Sequence, residues 1–332
     1  MGLALRAPGL AVTTPRAVGV RMTYADVPGR VRAWVGDALG SSVASWSDQV
    51  GGMSPGCATR VVGADGTRAF VKAVGVELNP DTPTLFRREI EVLRLIGEDP
   101  LWASLLATYE EEGWVALLLE DVPGGHPDLA DDGQIAELLA ATDRLVARLA
   151  DVPLPPGPLA SDIGSPGLVD ARARFRDWSA ALEHLDELPG ELVPESLRSQ
   201  PERLRQLVAR LDDGGTDQLL HWDVRVDNLL RPAPGRIVFV DWGAAAVGPA
   251  WVDPLLARLE RVDQPWFDVS TASSPVLDDV SDEMVTGWLV AFGAYLAWRS
   301  TQGSADLGLP TLNEFRRTEA RRFLAAADRR LA

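Results

Sequence analysis

With 332 residues, 46% hydrophobic and 24% charged, the chain has the length and composition of a soluble globular protein of two lobes or two domains. A formal net charge of −16 argues against sequence-independent binding to nucleic acid or to an anionic membrane, because phosphate contacts need a basic face. The single cysteine, Cys57, excludes an internal disulfide and fits a reducing cytoplasm, and no apolar run reaches the roughly 18 residues that span a bilayer.

Residues 1–22 lack periodicity, contain Pro8 and Pro15, and lack the apolar stretch and cleavage pattern of a signal peptide. They read as a mobile extension, with Met22 a candidate start. Asp26-Val27-Pro28 opens a short helix, capped by Asp26, that runs to about Gly40. Strand-like stretches follow at 43–50, 57–63 and 67–74, the last two joined by the hairpin dipeptide Asp65-Gly66. A helix is predicted over 83–97 and strands over 104–110 and 114–120. Residues 23–122 thus form a small β-rich lobe with one embedded helix. The pattern breaks at Glu120-Asp121-Val122-Pro123-Gly124-Gly125, which reads as a hinge.

Residues 123–332 form a larger helical lobe, with helices predicted near 131–150, 167–187, 195–212, 251–262, 280–299 and 311–330. The exception is Leu229–Val240, two short strands around Pro232-Ala233-Pro234-Gly235. Val152–Pro158 is proline-rich and reads as a rigid connection. The expected class is α+β with two unequal lobes.

The chain has 31 arginines and a single lysine, Lys72. Lys72 lies in the strand Thr67–Val74. The loop Gly51-Gly52-Met53-Ser54-Pro55-Gly56 precedes it, and a helix carrying Glu89 and Glu91 follows. A lysine on a strand beneath a glycine loop, held by a helix glutamate, is how kinases grip ATP phosphates. The bland alternative is a solvated surface lysine.

The strongest motif is His221-Trp222-Asp223-Val224-Arg225-Val226-Asp227-Asn228. It fits His-x-Asp-x-x-x-x-Asn, in which one carboxylate orients a hydroxyl and an amide five residues on holds a metal bound to ATP. Asp241 follows 18 residues after Asp223, behind the apolar run Ile237-Val238-Phe239-Val240, which presents a carboxylate at a strand end. Mg²⁺ takes one or two such oxygens plus phosphate oxygens.

On these residues the chain resembles the aminoglycoside phosphotransferase family, within the protein-kinase-like fold, over about residues 40–330. The resemblance implies ATP and Mg²⁺ as cofactors and a small-molecule hydroxyl as acceptor, an aminoglycoside or another antibiotic. It implies Asp223 as catalytic base, Asn228 and Asp241 as metal ligands, and Lys72 on the α/β-phosphates. Glu89 is the expected partner of Lys72, with Glu91 as rival. The glycine loop, with Gly52 and Ser54, is expected to cover the phosphates, and the backbone of Glu120 and Val122 to hold adenine. Asp253 matches the family's structural aspartate after the metal motif.

Two positions depart from the family: Trp222 stands where Gly is usual, and Arg225 where His is frequent. Arg225 either neutralises the transferring phosphoryl group or pairs with Asp227 or another acid as scaffold. Trp222 and His221 read as scaffold rather than as substrate platform and proton carrier. Trp266 reads as a cap on the core or a substrate-stacking ring. Asp263, Asp268, Asp278, Asp279, Asp282 and Glu283 read as a solvated face or as the wall of a pocket for amines. His126 and His184 are isolated and lack metal-ligand spacing. Beside the small-molecule kinase stand a nucleotide-binding regulatory module of the same fold and a metabolic kinase of choline, homoserine or sugars. Protein phosphorylation is disfavoured, because no Ala-Pro-Glu segment follows Asp241.

Overall fold

The computed structural model describes residues 21–49, 54–302 and 311–332. The expected extension 1–22 and Gly52 therefore lie largely outside the described residues. Helix α1 spans Gly29–Leu39. Asp26 does not cap it. The Asp26 carboxylate instead accepts from Thr23 Oγ1 at 2.6 Å in a preceding 3₁₀ turn, and Pro28 holds the cap position. A proline there sacrifices no hydrogen bond and presets φ. Gly40 closes the helix with φ 70°, as its position predicts.

Strands β1 (Val43–Asp48), β2 (Cys57–Gly63), β3 (Arg68–Gly75), β4 (Leu105–Glu111) and β5 (Trp114–Glu120) form an antiparallel sheet in the order β1-β2-β3-β5-β4. Gly66 makes the β2–β3 turn with φ 89°. β5 lies inside the sheet and is buried from Trp114 to Leu119, which accounts for its unbroken apolar run. β1 is an edge strand and largely exposed. Helix α2 (Thr82–Ile96) covers one face through Phe86, Ile90, Leu93 and Ile96. Helix α1 covers the other through Val31 and Val35, where Cys57, Val71 and Ala73 also point. Burial pushes the Cys57 thiol up to about 12, with Asp48 adding to the effect, so the only cysteine is packed as an inert apolar group.

The remainder is mostly helical: α3 (Asp132–Ala150), α4 (Ala171–Ser179), α5 (Glu195–Arg198), α6 (Pro201–Ala209), α7 (Val252–Leu256), α8 (Pro265–Ala272), α9 (Asp282–Thr301) and α10 (Leu312–Leu331). Short strands β6 (Val169–Asp170), β7 (Asp217–Leu220) and β10 (Ala246–Pro249) form one sheet, and β8 (Leu229–Ala233) and β9 (Arg236–Phe239) a hairpin. Helix α9 is buried nearly all round, between α4, α6 and α10. No helix among the described residues is long and apolar enough to cross a membrane.

Several expected long helices are broken by local chemistry. The stretch 167–187 becomes β6, α4 and a 3₁₀ segment, because the Asp170 carboxylate accepts from Ala173 N–H at 3.0 Å and starts a new helix. Pro201 cannot continue α5 and instead starts α6. Residues 251–262 split into α7 and the 3₁₀ turn Leu259–Arg261. Pro265, expected in a polar connection, occupies the first turn of α8. Trp266 is partly buried there, with the Arg261 guanidinium 5.0 Å from its ring.

Candidate active site

Period-2 alternation on β3 turns Lys72 to the face that carries α2, and β3 pairs Lys72 with Leu117 of β5. Lys72 is 8% exposed. Its Nζ donates to Glu89 Oε2 and, at 2.8 Å, to Asp241 Oδ1, and lies 5.0 Å from the Phe86 ring. Glu89 is buried and Glu91 is exposed, so the helix face selects Glu89 as the partner. Burial works against the charge on Lys72, but Asp241 and Glu89 outweigh it and raise the ammonium above its ordinary value. Burial raises the Glu89 carboxyl despite Lys72. For Asp241 burial acts in the same direction, but Lys72 prevails and holds the carboxyl down at about 2. The shared ammonium thus keeps Asp241 ionised, with about half of its side chain exposed to the cleft.

Glu89 is held in place by its neighbour Arg88. This buried guanidinium donates to the carbonyls of Gly167 (2.6 Å), Gly243 (2.8 Å), Ile163 (3.0 Å) and Ser165 (2.6 Å). Helix α2 is thereby fastened to the segment before β6 and to the chain just past Asp241. Nothing in the sequence marked Arg88, because its partners are backbone carbonyls more than 70 residues away. Arg88→Ala is expected to destabilise the protein by on the order of 3 kcal/mol, since it leaves buried carbonyls without donors. Urea unfolding measures this. An unchanged midpoint would show that the clamp contributes nothing.

The second half of the site is the loop after β7. Asp253, 1% exposed, accepts from His221 N–H (2.8 Å, Oδ2) and Trp222 N–H (2.9 Å, Oδ1). This holds Trp222 at φ 67°, a left-handed conformation that a bulky residue keeps only when its surroundings impose it. His221 is fully buried. Its Nδ1 accepts from Asp223 N–H at 3.3 Å, so Nε2 carries the proton and donates to Val240 O at 3.1 Å. It is a scaffold histidine, as expected. Asn228 Nδ2 donates to Asp223 O (3.0 Å) and Oδ2 (2.8 Å), and Arg225 Nε lies 3.2 Å from Asp223 Oδ1. Burial alone would lower the Arg225 guanidinium, but Asp223, Asp227, Asp241 and Glu260 raise it.

Hairpin β8–β9 joins the two halves. Leu229 pairs with Phe239, and Val240 N–H donates to Asn228 O at 2.9 Å. Asn228 and Asp241 therefore emerge at the same end of one ladder. Asp241 is also left-handed, at φ 67°, which turns its carboxylate back toward Lys72. Nδ2 of Asn228 is occupied by Asp223, so Oδ1 is the atom of this side chain that could face a cation. Asp241 Oδ2 makes no hydrogen bond among the described residues. Two oxygens at one strand end suit a hard cation that takes its other ligands from phosphate. Among the described residues no group of three or more His, Cys, Asp or Glu side chains forms a separate metal site.

A family model for phosphotransferase enzymes matches residues 60–272. The chain belongs to the phosphotransferase enzyme family. Among solved structures it is similar to a thermostable mutant of aminoglycoside phosphotransferase APH(4)-Ia in complex with ADP and hygromycin B. Identity is 16% over 91% of this chain and 99% of that one, with TM-score 0.61. It is also similar to choline kinase LicA from Streptococcus pneumoniae, at 17% identity over 89% of this chain and 98% of that one, TM-score 0.55. At such identity the likeness is one of fold: the phosphotransferase has the two-lobed, α+β, protein-kinase-like architecture. The comparison with curated proteins returns no significant match.

The other expected residues of this phosphotransferase lie in the loop before β2 and at the end of β5. Ser54 Oγ accepts from Gly56 N–H at 3.3 Å, a bond within the loop itself. Any Cβ on Gly56 would lie 2.5 Å from Ala73 O, so only glycine lets the loop close onto β3 beside Lys72. Glu120 N–H donates to Ser104 O at 2.9 Å, whereas the backbone of Val122 makes no hydrogen bond among the described residues. Between them Asp121 is clamped by Arg60 (2.6 Å) and Arg68 (2.8 Å), a support that sequence reading missed. The acids considered as a wall for amines are largely taken up elsewhere. Asp263 pairs with Arg322 (2.7 Å), Asp268 with Arg329 (3.0 Å) and Arg330 (2.7 Å), and Asp282 with Arg330 (2.8 Å). His126 Nδ1 donates to Leu229 O at 2.9 Å, and His184 stacks on Trp298.

Proposed function

We propose that this phosphotransferase moves the γ-phosphate of Mg-ATP onto a hydroxyl of a small molecule in the cytoplasm. The observation that carries this reading is the joining of the Lys72–Glu89–Asp241 cluster to the Asp223–Asn228 loop by one hairpin. Residues 23–122 would bind the nucleotide, and 123–332 would carry the catalytic loop, metal ligands and acceptor seat. Lys72 would hold the α/β-phosphates as a compact point charge, with Glu89 keeping its stem in place. The Val122 N–H, and the Glu120 carbonyl beside it, would receive adenine, and the loop around Gly52 and Ser54 would close over the phosphates. Asn228 Oδ1 and Asp241 would hold Mg²⁺, which when bound offsets negative charge on the phosphates.

Asp223 would orient the acceptor hydroxyl and take its proton. The hydroxyl oxygen bonds to the γ-phosphorus as the bond to the bridging oxygen of ADP breaks. Arg225, paired with Asp223, would steady that carboxylate and place positive charge beside the transferring group. A screen of alcohols with Mg-ATP, with products mapped by mass spectrometry, tests this reading. ATP binding without turnover of any alcohol would favour the regulatory module. An aminoglycoside or other antibiotic is one acceptor class under this reading.

Lys72 allows a direct check. Mg-ATP is expected to protect Lys72 from an amine-acylating reagent, and Lys72→Arg to lose most activity, because a planar guanidinium does not fit a point-charge site. Peptide mass spectrometry with and without Mg-ATP measures the protection. Equal labelling in both samples would remove Lys72 from the nucleotide site.

A further inference from the structure

Trp222 sits directly before Asp223, and its ring is only partly buried. It stacks on Trp178 of α4 at 5.7 Å and 22°, and lies 5.8 Å from Phe175. Trp178 in turn meets Phe292 and Tyr295 of α9 at 4.5 and 6.2 Å, and those two rings stack at 15°. Phe292 and Tyr295 are also partly exposed. The rings pack in one run from the residue beside Asp223, through Trp178 and Phe175, which are 4% and 2% exposed, to α9. The aromatic surface that is open therefore consists of parts of Trp222, Phe292 and Tyr295. The left-handed backbone of Trp222 is imposed by the two bonds to Asp253, so the indole is held there against its own preference.

The charges at the outer end of this surface are mostly positive. The Arg174 guanidinium lies 5.5 Å from the Tyr295 ring, and its Nη2 donates to the Tyr295 hydroxyl at 3.2 Å. Arg299 lies 6.0 Å from the same ring. Asp177 pairs with Arg174 at 2.7 Å. Aromatic faces in general suit both flat rings and organic cations. Here guanidinium groups already occupy the cation position over Tyr295, and a further cation would meet repulsion.

We infer that this surface seats the acceptor, and that the acceptor is an alcohol with a flat, largely apolar body, neutral or anionic, rather than a polycationic amino sugar. The inference rests on the phosphotransfer reading above and names the substrate class for it. Trp222 is then a specificity-determining residue that stacks on the body of the acceptor and leaves its hydroxyl at Asp223.

The test uses the full chain and four alcohols: naphthylethanol, hydroxymethylnaphthoate, choline and hygromycin B. Binding is read by calorimetry with Mg-ADP present, and transfer by ADP release with Mg-ATP. The naphthyl alcohols are expected to bind, and to be phosphorylated with KM at least about tenfold below those of the two cations. Trp222→Ala and Tyr295→Ala are each expected to raise that KM by about tenfold, the order of one aromatic contact, with the KM for ATP unchanged. Trp222→Phe should retain most of the affinity. Unchanged ATP affinity shows that each variant is folded. Preference for choline or hygromycin B, absence of naphthyl binding, or parental KM in both alanine variants would overturn the inference. Failure of the phosphotransfer reading looks different: naphthyl binding would still depend on Trp222, but no alcohol would be phosphorylated.

Discussion

Asp223→Asn is expected to lower turnover by about 10²–10⁴-fold, the usual contribution of a general base, while leaving ATP affinity nearly unchanged. The substitution keeps the shape of the side chain and an oxygen for Asn228 Nδ2, which now bonds Oδ2 at 2.8 Å, so the loop geometry should survive. What is lost is the negative charge that faces Arg225 and would receive the proton. Steady-state rates and nucleotide affinity, measured on one preparation, separate the two effects. A variant with near-parental kcat would show that Asp223 does not accept the proton.

Asp241→Ala is expected to damage both nucleotide binding and catalysis. Its carboxylate would ligate the metal, and it also supplies one of the two acidic partners of Lys72. Loss of a metal ligand is expected to lower kcat/KM by on the order of 10² or more and to raise the Mg²⁺ concentration needed for half-maximal activity. Titrating Mg²⁺ at fixed ATP measures this, and an unchanged metal dependence would place the metal elsewhere. The ion pair itself should be insensitive to pH over the working range. Lys72 draws the Asp241 carboxyl from an ordinary 3.8 to about 2, against the upward pull of burial. A depressed carboxyl stabilises the fold above its unfolded value, and that contribution is lost only as pH falls toward 2.

Much of the fold was legible because its signals are local. Period-2 runs, the Asp65-Gly66 turn and the Gly40 stop placed the sheet and its helices within a residue or two. The meeting of Asp223 and Asn228 was legible because their spacing is set by one turn of chain: Asn228 reaches back five residues to Asp223. Helix breaks were harder to read. Asp170 and Pro201 each start new helices inside stretches whose apolar periodicity runs on without interruption. By sequence Pro265 reads as punctuation, though proline is equally at home in a first helical turn.

By itself the sequence determined which side chains the cleft has to work with: one lysine, two motif carboxylates and an asparagine at fixed intervals. Their types and short-range spacing are covalent facts that no packing can alter. Only the tertiary structure decided which of them meet. Glu89 rather than Glu91 faces Lys72 because the apolar face of α2 turns inward and takes Glu89 with it. Arg88 became a clamp because four distant carbonyls converge on it. Trp222 joined an aromatic surface because α4 and α9, more than 100 residues apart in the chain, pack side by side. Contacts of that kind depend on where whole elements lie in space, and local patterning carries no record of it.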